Sequence, residues 1–349
     1  MSLKVLELFG GIGACSKALE NLGIDYVIAD YVEIDKFAVK SFNAIHNTSF
    51  EPQDITRWDK DIEVDLIMHG SPCQDFSTAG KQAGGDKGSG TRSSLMYETL
   101  RIVENLKPQY VIWENVKNLI SKKHRHNFDA YLEYMESLGY KNYYQVLNAK
   151  DYGVPQNRER VFTISILDNT EFVFPKPILL QRHLKDMLDT EVDNKYYLGA
   201  AEWILTDKGQ ECVEKGWATI DGDISQCITA RGFNSWNCQY VTDDIMRIGT
   251  LDIKRHDMLK RIYSPQGLSP TIPTGESGNS IPKIANNKGI RKLTPKEAWR
   301  LMGFNDTDFE KAEKVNSNSQ LYKQAGNSIV VSVLEGVLAN LLGEQNGKN

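Results

Sequence analysis

The chain lacks the pairings that its cysteines would need to staple a fold or hold a metal. Cys15, Cys73, Cys212, Cys227 and Cys238 are odd in number, widely spread, and never arranged as C-x-x-C with a histidine close by. That excludes a disulfide framework and a zinc site and fits a reducing compartment. An excess of positive charge is also missing: the net charge is −5, so the chain does not coat nucleic acid through bulk basicity, although local basic patches remain open. The start carries neither the basic residues nor the apolar core of a signal peptide, and no apolar stretch approaches membrane-spanning length. The expectation is a cytoplasmic protein without membrane contact. At 349 residues it can bury one large core or two without covalent help.

What is present concentrates at the ends of apolar runs. Val64-Asp65-Leu66-Ile67-Met68 reads as a buried strand and leads into Gly70-Ser71-Pro72-Cys73-Gln74, which sets a thiol at the carboxyl end of that strand. In an open α/β sheet, ligands bind in the crevice outside those ends. Lys4–Phe9 runs into Gly10-Gly11-Ile12-Gly13 and then a helical pattern through Ala18, Leu19 and Leu22. Such a turn lets backbone approach a ligand and leaves helix N–H groups free for polar atoms. A dinucleotide fingerprint needs a further glycine where Ser16 stands, which weakens that reading. Tyr26–Val32 ends at Glu33, where doubly wound folds place a ribose-binding carboxylate. Asp54-Ile55 is expected near the next strand end, and Tyr110–Trp113 ends in Glu114-Asn115-Val116.

Five apolar runs in succession therefore end in a glycine turn, a carboxylate, a second carboxylate, a thiol and a third carboxylate. Glu114 taken alone reads as a helix cap. Beside Cys73 on one sheet edge, a carboxyl held partly dry could instead donate a proton to a ring nitrogen. Further on, Arg158 and Arg160 precede the strand Phe162–Ile166 and, two residues apart in extended chain, are expected to point together at an anion or a carbonyl oxygen. Two basic clusters, Lys117 with Lys122–His126 and Lys283 through Arg300, read singly as solvated charge.

In order and spacing, Leu6-Glu7-Leu8-Phe9-Gly10-Gly11-Ile12-Gly13, Gly70-Ser71-Pro72-Cys73-Gln74-Asp75-Phe76-Ser77, Glu114-Asn115-Val116, Gln156-Asn157-Arg158-Glu159-Arg160, Arg291–Ala298 and Gly326-Asn327-Ser328 resemble the cytosine-5 DNA methyltransferases of bacteria and phages. The resemblance implies an α/β fold of the Rossmann-like, S-adenosylmethionine-dependent methyltransferase type, with a smaller, irregular target-recognition domain. It implies a catalytic, donor-binding domain at 1–170 plus 305–349 and a DNA-reading domain at 171–304, where the strand–helix rhythm gives way to Gly, Asn, Ser and Thr.

The implied chemistry is addition of the Cys73 thiolate to cytosine C6, with Glu114 at N3 and the amine, Arg160 with Arg158 at O2, and methylation at C5. S-adenosylmethionine, leaving as S-adenosylhomocysteine, would lie on Phe9, Gly11, Gly13, Glu33, Ile34, Asp54, Ile55, Pro72, Leu95, Asn327 and Ser328. Ile34 departs from the aromatic residue common in relatives. No metal is implied. Double-stranded DNA is the expected partner, met by Lys81 and Arg92 in the glycine-rich stretch 75–94 and by Arg261, Thr271 and Ile272, with Ile228-Thr229 a fainter match to the same element. The base must be flipped out of the stack. A monomer on DNA, a restriction-modification or phage-protection role and a cognate endonuclease complete the expectation. The rivals are a tRNA-modifying relative, whose Cys-Phe-Thr signature is absent, a silent DNA-binding module, and a dehydrogenase that fails at Ser16.

Overall fold

Neighbouring residues of the first strands face opposite ways into two apolar layers, and this decides the architecture. In the computed structural model the described residues are 2–72, 92–198, 203–205, 218–221, 223–227, 245–252, 256–274, 280–286 and 289–343, without the side chains of 92–93, 203–205, 218–221 and 223–227. Val5, Leu66, Met68, Tyr110 and Ile112 enter one buried cluster, while Leu6, Ile67, Val111 and Trp113 enter another. A sheet covered on both faces follows from that pattern.

The strands are β1 (Leu3–Leu8), β2 (Tyr26–Val32), β3 (Leu66–His69), β4 (Tyr110–Val116), β5 (Lys141–Asn148), the two-residue β6 (Gln156–Asn157) and β7 (Glu159–Ile166). The main sheet has the order β2-β1-β3-β4-β7-β5. The first four strands are parallel; β7 runs antiparallel to β4, and β5, antiparallel to β7, returns to the common direction at the edge. Helices α1 (Ala14–Asn21), α2 (Lys36–His46), α3 (Met96–Leu106) and α4 (Arg125–Ser137) connect them. Leu8 is level with Val32 and His69, and His69 with Trp113. Phe9, Glu33, Gly70 and Glu114 consequently emerge at one edge.

One expected run is not a strand. Asp54 caps a single 3-10 turn, Ile55–Arg57, by accepting from the Thr56 N–H at 3.0 Å. The segment stays beside β2 through the Gln53 N–H, which donates to the Glu33 carbonyl at 2.9 Å. Pro52 and the polar flanks leave it too little apolar length to join the sheet.

Beyond β7, a second sheet has the order β15-β14-β12-β11-β8, built from β8 (Trp203–Leu205), β11 (Arg247–Leu251), β12 (Arg261–Tyr263), β14 (Lys283–Asn286) and β15 (Gly289–Lys292). A hairpin of β9 (Ala218–Asp221) and β10 (Asp223–Cys227) and one helical turn, α5 (Asp257–Lys260), accompany it. The short β13 (Ser269–Pro270) pairs with β6 instead, joining this region to the main sheet.

The chain then returns to the first cluster through α6 (Pro295–Arg300), α7 (Asp306–Glu313), α8 (Asn318–Asn327) and α9 (Val331–Gly343). Pro295 at the start and a reciprocal Thr294–Glu297 capping box fix the entry of α6. Contrary to the sequence expectation, Asn318–Gly343 is apolar and long enough by composition to cross a membrane. It is broken at Ser328, which adopts extended backbone, and α9 packs its valines and leucines onto α1.

Candidate active site

The turn after β1 is held in a shape that side chains resist. Phe9, Gly11 and Gly13 all have left-handed backbone, with φ of 54°, 57° and 80°. For Phe9 that is strain of a kind that clusters at functional sites. A Cβ on Gly13 would fall 2.3 Å from His46 Nε2, so glycine is required there by packing as well as by backbone. Gly11, by contrast, faces open space. Its carbonyl accepts from the Tyr31 hydroxyl at 2.7 Å and its N–H donates to Glu33 Oε2 at 3.2 Å, which ties the turn to β2.

Ser16, the residue standing where a third glycine was sought, has its own partner. Its N–H donates to Glu7 Oε1 at 3.0 Å and its hydroxyl to the same oxygen. Burial pushes the Glu7 carboxyl up to about 7, against the opposing Ser16 bonds. Sequence reasoning missed Glu7 as a functional candidate, though an acid inside the apolar run Val5–Phe9 was a signal.

An open cleft runs from this turn to Glu114, bordered by Glu7, Phe9–Ile12, Met68, Gly70 and residues 327–329. Glu33 stands at its β2 side, its carboxyl raised by burial although the Asp35 N–H donates to it at 2.8 Å. Ile34 beside it is 69 % exposed, an apolar side chain turned outward on the same edge. Asp54 spends Oδ1 on the Thr56 amide and hydroxyl, Ile55 is buried beneath it, and Leu95 packs against the second cluster. Asn327 is exposed at the cleft while Ser328 is nearly buried. Left-handed backbone, an outward apolar residue and an inward carboxylate fit a ligand with polar, ribose-like and planar parts.

Cys73 lies outside the described residues, but the chain leading to it is described. Ser71 is buried and held from β4: Trp113 Nε1 donates to its hydroxyl at 3.0 Å and Asn115 Nδ2 to its carbonyl at 3.2 Å. Trp113 also stacks on His69, whose pKa burial lowers to about 3. Between those two donors, Glu114 points to the other face. It does not cap a helix, since β4 continues to Val116 and the following 3-10 turn has no side-chain cap. Arg160 Nε lies 3.1 Å from Glu114 Oε1. Burial pushes the Glu114 carboxyl above its ordinary value, opposed by the charges of Arg160 and Arg158.

The charges of Arg158 and Arg160 both act on Glu114, as a shared direction implies, but their hydrogen bonds differ. Arg158 is buried and gives Nη2 to the carbonyls of Ser328 at 2.7 Å and Gly326 at 3.1 Å, with Nη1 3.5 Å from that of Ile272. Sequence distance hid these partners.

Of the expected DNA contacts, Lys81 lies outside the described residues, as do Ile228 and Thr229, and Arg92 is described only as backbone opening a 3-10 turn. Arg261 is paired with Asp257 at 2.7 Å. Thr271 is exposed and donates to the Asn157 carbonyl at 2.8 Å, whereas Ile272 is 1 % exposed and belongs to the core, which removes it from any DNA-facing surface. The second basic cluster also dissolves: Arg291 is buried against Glu297, Arg300 bonds Asp189 and Asp306, and Lys296 bonds Asp306 and Glu310. The first cluster stays at the surface in part, with Lys117 on Glu159 and Arg125 on Asp129.

Comparison with known proteins supplies the context. The profile of the family described as C-5 cytosine-specific DNA methylase matches residues 3–343. The chain is 40 % identical over 284 residues to the type II methyltransferase M2.ScrFI of Lactococcus lactis subsp. cremoris, covering 81 % of this chain and 68 % of that one. To the orphan methyltransferase M.SPBetaI of Bacillus phage SPbeta it is 33 % identical, with 97 % of both chains covered. To the type II methyltransferase M.HhaI of Haemophilus parahaemolyticus it is 32 % identical, covering 97 % of this chain and 94 % of that one. Among solved structures, the S. pombe Dnmt2 methyltransferase shares the fold with a TM-score of 0.66 at 18 % identity, covering 99 % of each chain.

Proposed function

The chain belongs to the C-5 cytosine-specific DNA methylase family and is a DNA cytosine methyltransferase, and from that premise we propose that it flips a cytosine out of duplex DNA at a specific sequence, adds Cys73 to C6 and methylates C5. The single observation that carries the mechanism is the state of Glu114: buried, raised in pKa, bonded on one side to Arg160, and open to the cleft beside Gly70.

Addition of the Cys73 sulfur to C6 pushes electron density onto the ring, and Glu114 stabilises it by donating a proton or hydrogen bond to N3. Burial raises the Glu114 carboxyl above its ordinary value, against the two arginine charges, and so favours proton donation to N3 over what an exposed carboxyl would offer. Arg160 orients Glu114 and holds the base O2. Thymine is rejected because its N3 already carries a hydrogen. Ser71, fixed by Trp113 and Asn115, sets the approach of the chain that bears the thiol. Departure of the C5 proton then reverses the addition and frees the sulfur.

S-adenosylmethionine, when bound, supplies an electrophilic methyl group. Phe9, Gly11 and Gly13 would hold it through backbone, Glu33 at the ribose, Ile34, Asp54 and Ile55 about the adenine, and Pro72, Leu95, Asn327 and Ser328 along the remainder. Glu33 at the turn and the outward Ile34 are what support that placement.

The organisation we propose is a catalytic part at 1–170 with 305–349 and a DNA-reading part at 171–304; the buried Leu293, Trp299 and Phe304 draw 293–304 into the catalytic core. Lys81, Arg92, Arg261 and Thr271 are the proposed DNA contacts. A monomer acting in the cytoplasm, in a restriction-modification or phage-protection setting with or without a companion endonuclease, fits the type II and orphan relatives.

The test is covalent capture. A duplex carrying 5-fluorocytosine at the target, added with the donor, is expected to trap the unmutated chain irreversibly, and Cys73→Ser is expected to bind duplex without trapping or methyl transfer. Turnover in Cys73→Ser would overturn the mechanism, and label entering only tRNA would overturn the duplex substrate. Bisulfite sequencing of DNA from expressing cells reads the sequence context.

A further inference from the structure

We infer that Arg158 is a positioning residue that couples the donor cleft to the DNA-reading side of the molecule; the inference rests on the methyltransferase reading above. Its guanidinium grips three stretches that sequence keeps far apart: Ser328 and Gly326 through Nη2, and Ile272 through Nη1. Ser328, with Asn327 and Ile329, lines the cleft. Ile272 directly follows Thr271, the exposed residue just after β13, the short strand that joins the second-sheet region to the main sheet.

Other contacts join the same segments. Gly326 approaches the segment after β13 so closely that a Cβ there would fall 2.4 Å from the Pro273 carbonyl. Gln156 Oε1 accepts from the Ile272 N–H at 3.3 Å while its Nε2 donates to the Leu301 carbonyl at 2.7 Å. Ser269 and Pro270 pair with Gln156 and Asn157 in parallel register. A duplex seated on Thr271 and a donor seated on Asn327 and Ser328 therefore order segments that share one guanidinium. Whichever ligand arrives first reduces the ordering left for the second, which is positive coupling, and by linkage the factor is the same in both directions. Arginine is needed because a planar fork reaches carbonyls from two separate nitrogens at once, whereas the three donors of lysine sit on one nitrogen and cannot span them.

The experiment compares the dissociation constant of S-adenosylhomocysteine, by calorimetry, with and without a duplex that the chain methylates. In the unmutated chain the duplex is expected to tighten binding about 10-fold, within the usual range of such couplings. Arg158→Lys is expected to bind each ligand but to bring the ratio below about 2-fold. Arg125→Lys, which alters a surface ion pair with Asp129 and leaves the joint intact, is expected to keep the ratio, and a loss of the ratio confined to Arg158→Lys separates the joint from arginine substitution as such. Should Arg158→Lys not fold, Thr271→Val removes one exposed bond from the same joint and is expected to lower the ratio; an undiminished ratio in it overturns the coupling. An unmutated chain that binds neither ligand overturns the methyltransferase reading. One that binds both, with no coupling or with coupling unchanged in Arg158→Lys, overturns this inference alone.

Discussion

Glu297 and Glu114 are both buried and both paired with arginine, yet they are left in opposite conditions. Each Glu297 oxygen accepts two hydrogen bonds: Oε1 from Arg291 Nη2 at 2.7 Å and the Asp189 N–H at 2.8 Å, Oε2 from Arg291 Nη1 at 2.8 Å and the Thr294 N–H at 2.7 Å. Its acceptor capacity is spent on bidentate pairing and a helix cap. Among the described residues, Glu114 has one charged contact, from Arg160 at 3.1 Å, and it borders the cleft. What separates a structural carboxylate from a reactive one here is the number of donors that reach it. Evenly filled acceptors make a rigid joint, and unfilled ones leave chemistry to be done.

The largest effect expected from breaking this contrast is on turnover. Glu114→Gln keeps the shape and removes the acid, so methyl transfer should fall by roughly 10²–10⁴-fold, the range for a positioned proton donor. Its unfolding free energy should change less than that of Glu297→Gln, because Arg160 keeps some solvent access when its partner is lost and Arg291 has almost none. Glu297→Gln should do the reverse in a denaturant titration. It leaves the Arg291 charge buried without its partner, at a cost of about 3–5 kcal/mol. Equal destabilisation in the two variants would erase the distinction.

How much of this could be read from residues alone follows from the range of the interactions. The edge bearing Phe9, Glu33, Gly70 and Glu114 was legible because short apolar runs, each ended by a turn signal, are local patterns. Asp54 was misplaced at a strand end because a lone Ile55 offers too short a run to tell strand from turn. Arg291 and Arg300 read as surface charge because charge runs are solvated by default, and what overrides that is acids positioned by tertiary packing: Glu297 by its helix cap, Asp189 from a distant loop. The carbonyl partners of Arg158 were hidden for a related reason. Strand alternation gives the side on which a residue emerges, but the carbonyls that take up its donors belong to residues 272, 326 and 328.

Glu7 sharpens the comparison from the middle ground, since both Ser16 bonds fall on one of its oxygens. A raised carboxyl favours the protonated form in the folded chain. Its contribution to stability is therefore complete below the ordinary value of 4.5 and is lost as pH rises through about 7. That shift corresponds to about 3 kcal/mol. Equilibrium unfolding measured from pH 4.5 to 8 should show the unmutated chain losing ground to Glu7→Gln up to about pH 7, with a constant difference above. A difference that does not vary with pH would mean that Glu7 is ionised throughout, like a carboxylate with enough donors.

The smallest effect should come from Trp113→Phe, which removes one donor next to Glu114 and leaves Glu114 itself untouched. The indole N–H gives Ser71 one of its bonds, while Asn115 Nδ2 reaches the Ser71 carbonyl at 3.2 Å and its hydroxyl at 3.4 Å. Phenylalanine keeps an aromatic ring against Tyr131 and His69 but leaves part of a fully buried site empty, so the loss combines one buried hydrogen bond with a small cavity, about 1–3 kcal/mol in a denaturant midpoint assay. Methyl transfer should fall less than about 10-fold, because the lost hydrogen bond, about 1 kcal/mol, falls short of the roughly 1.4 kcal/mol of a tenfold change and Asn115 still holds the turn. A loss as deep as that of Glu114→Gln would show that the donors on either side of the acid share its work, and that the count of bonds at Glu114 alone does not mark where the chemistry is.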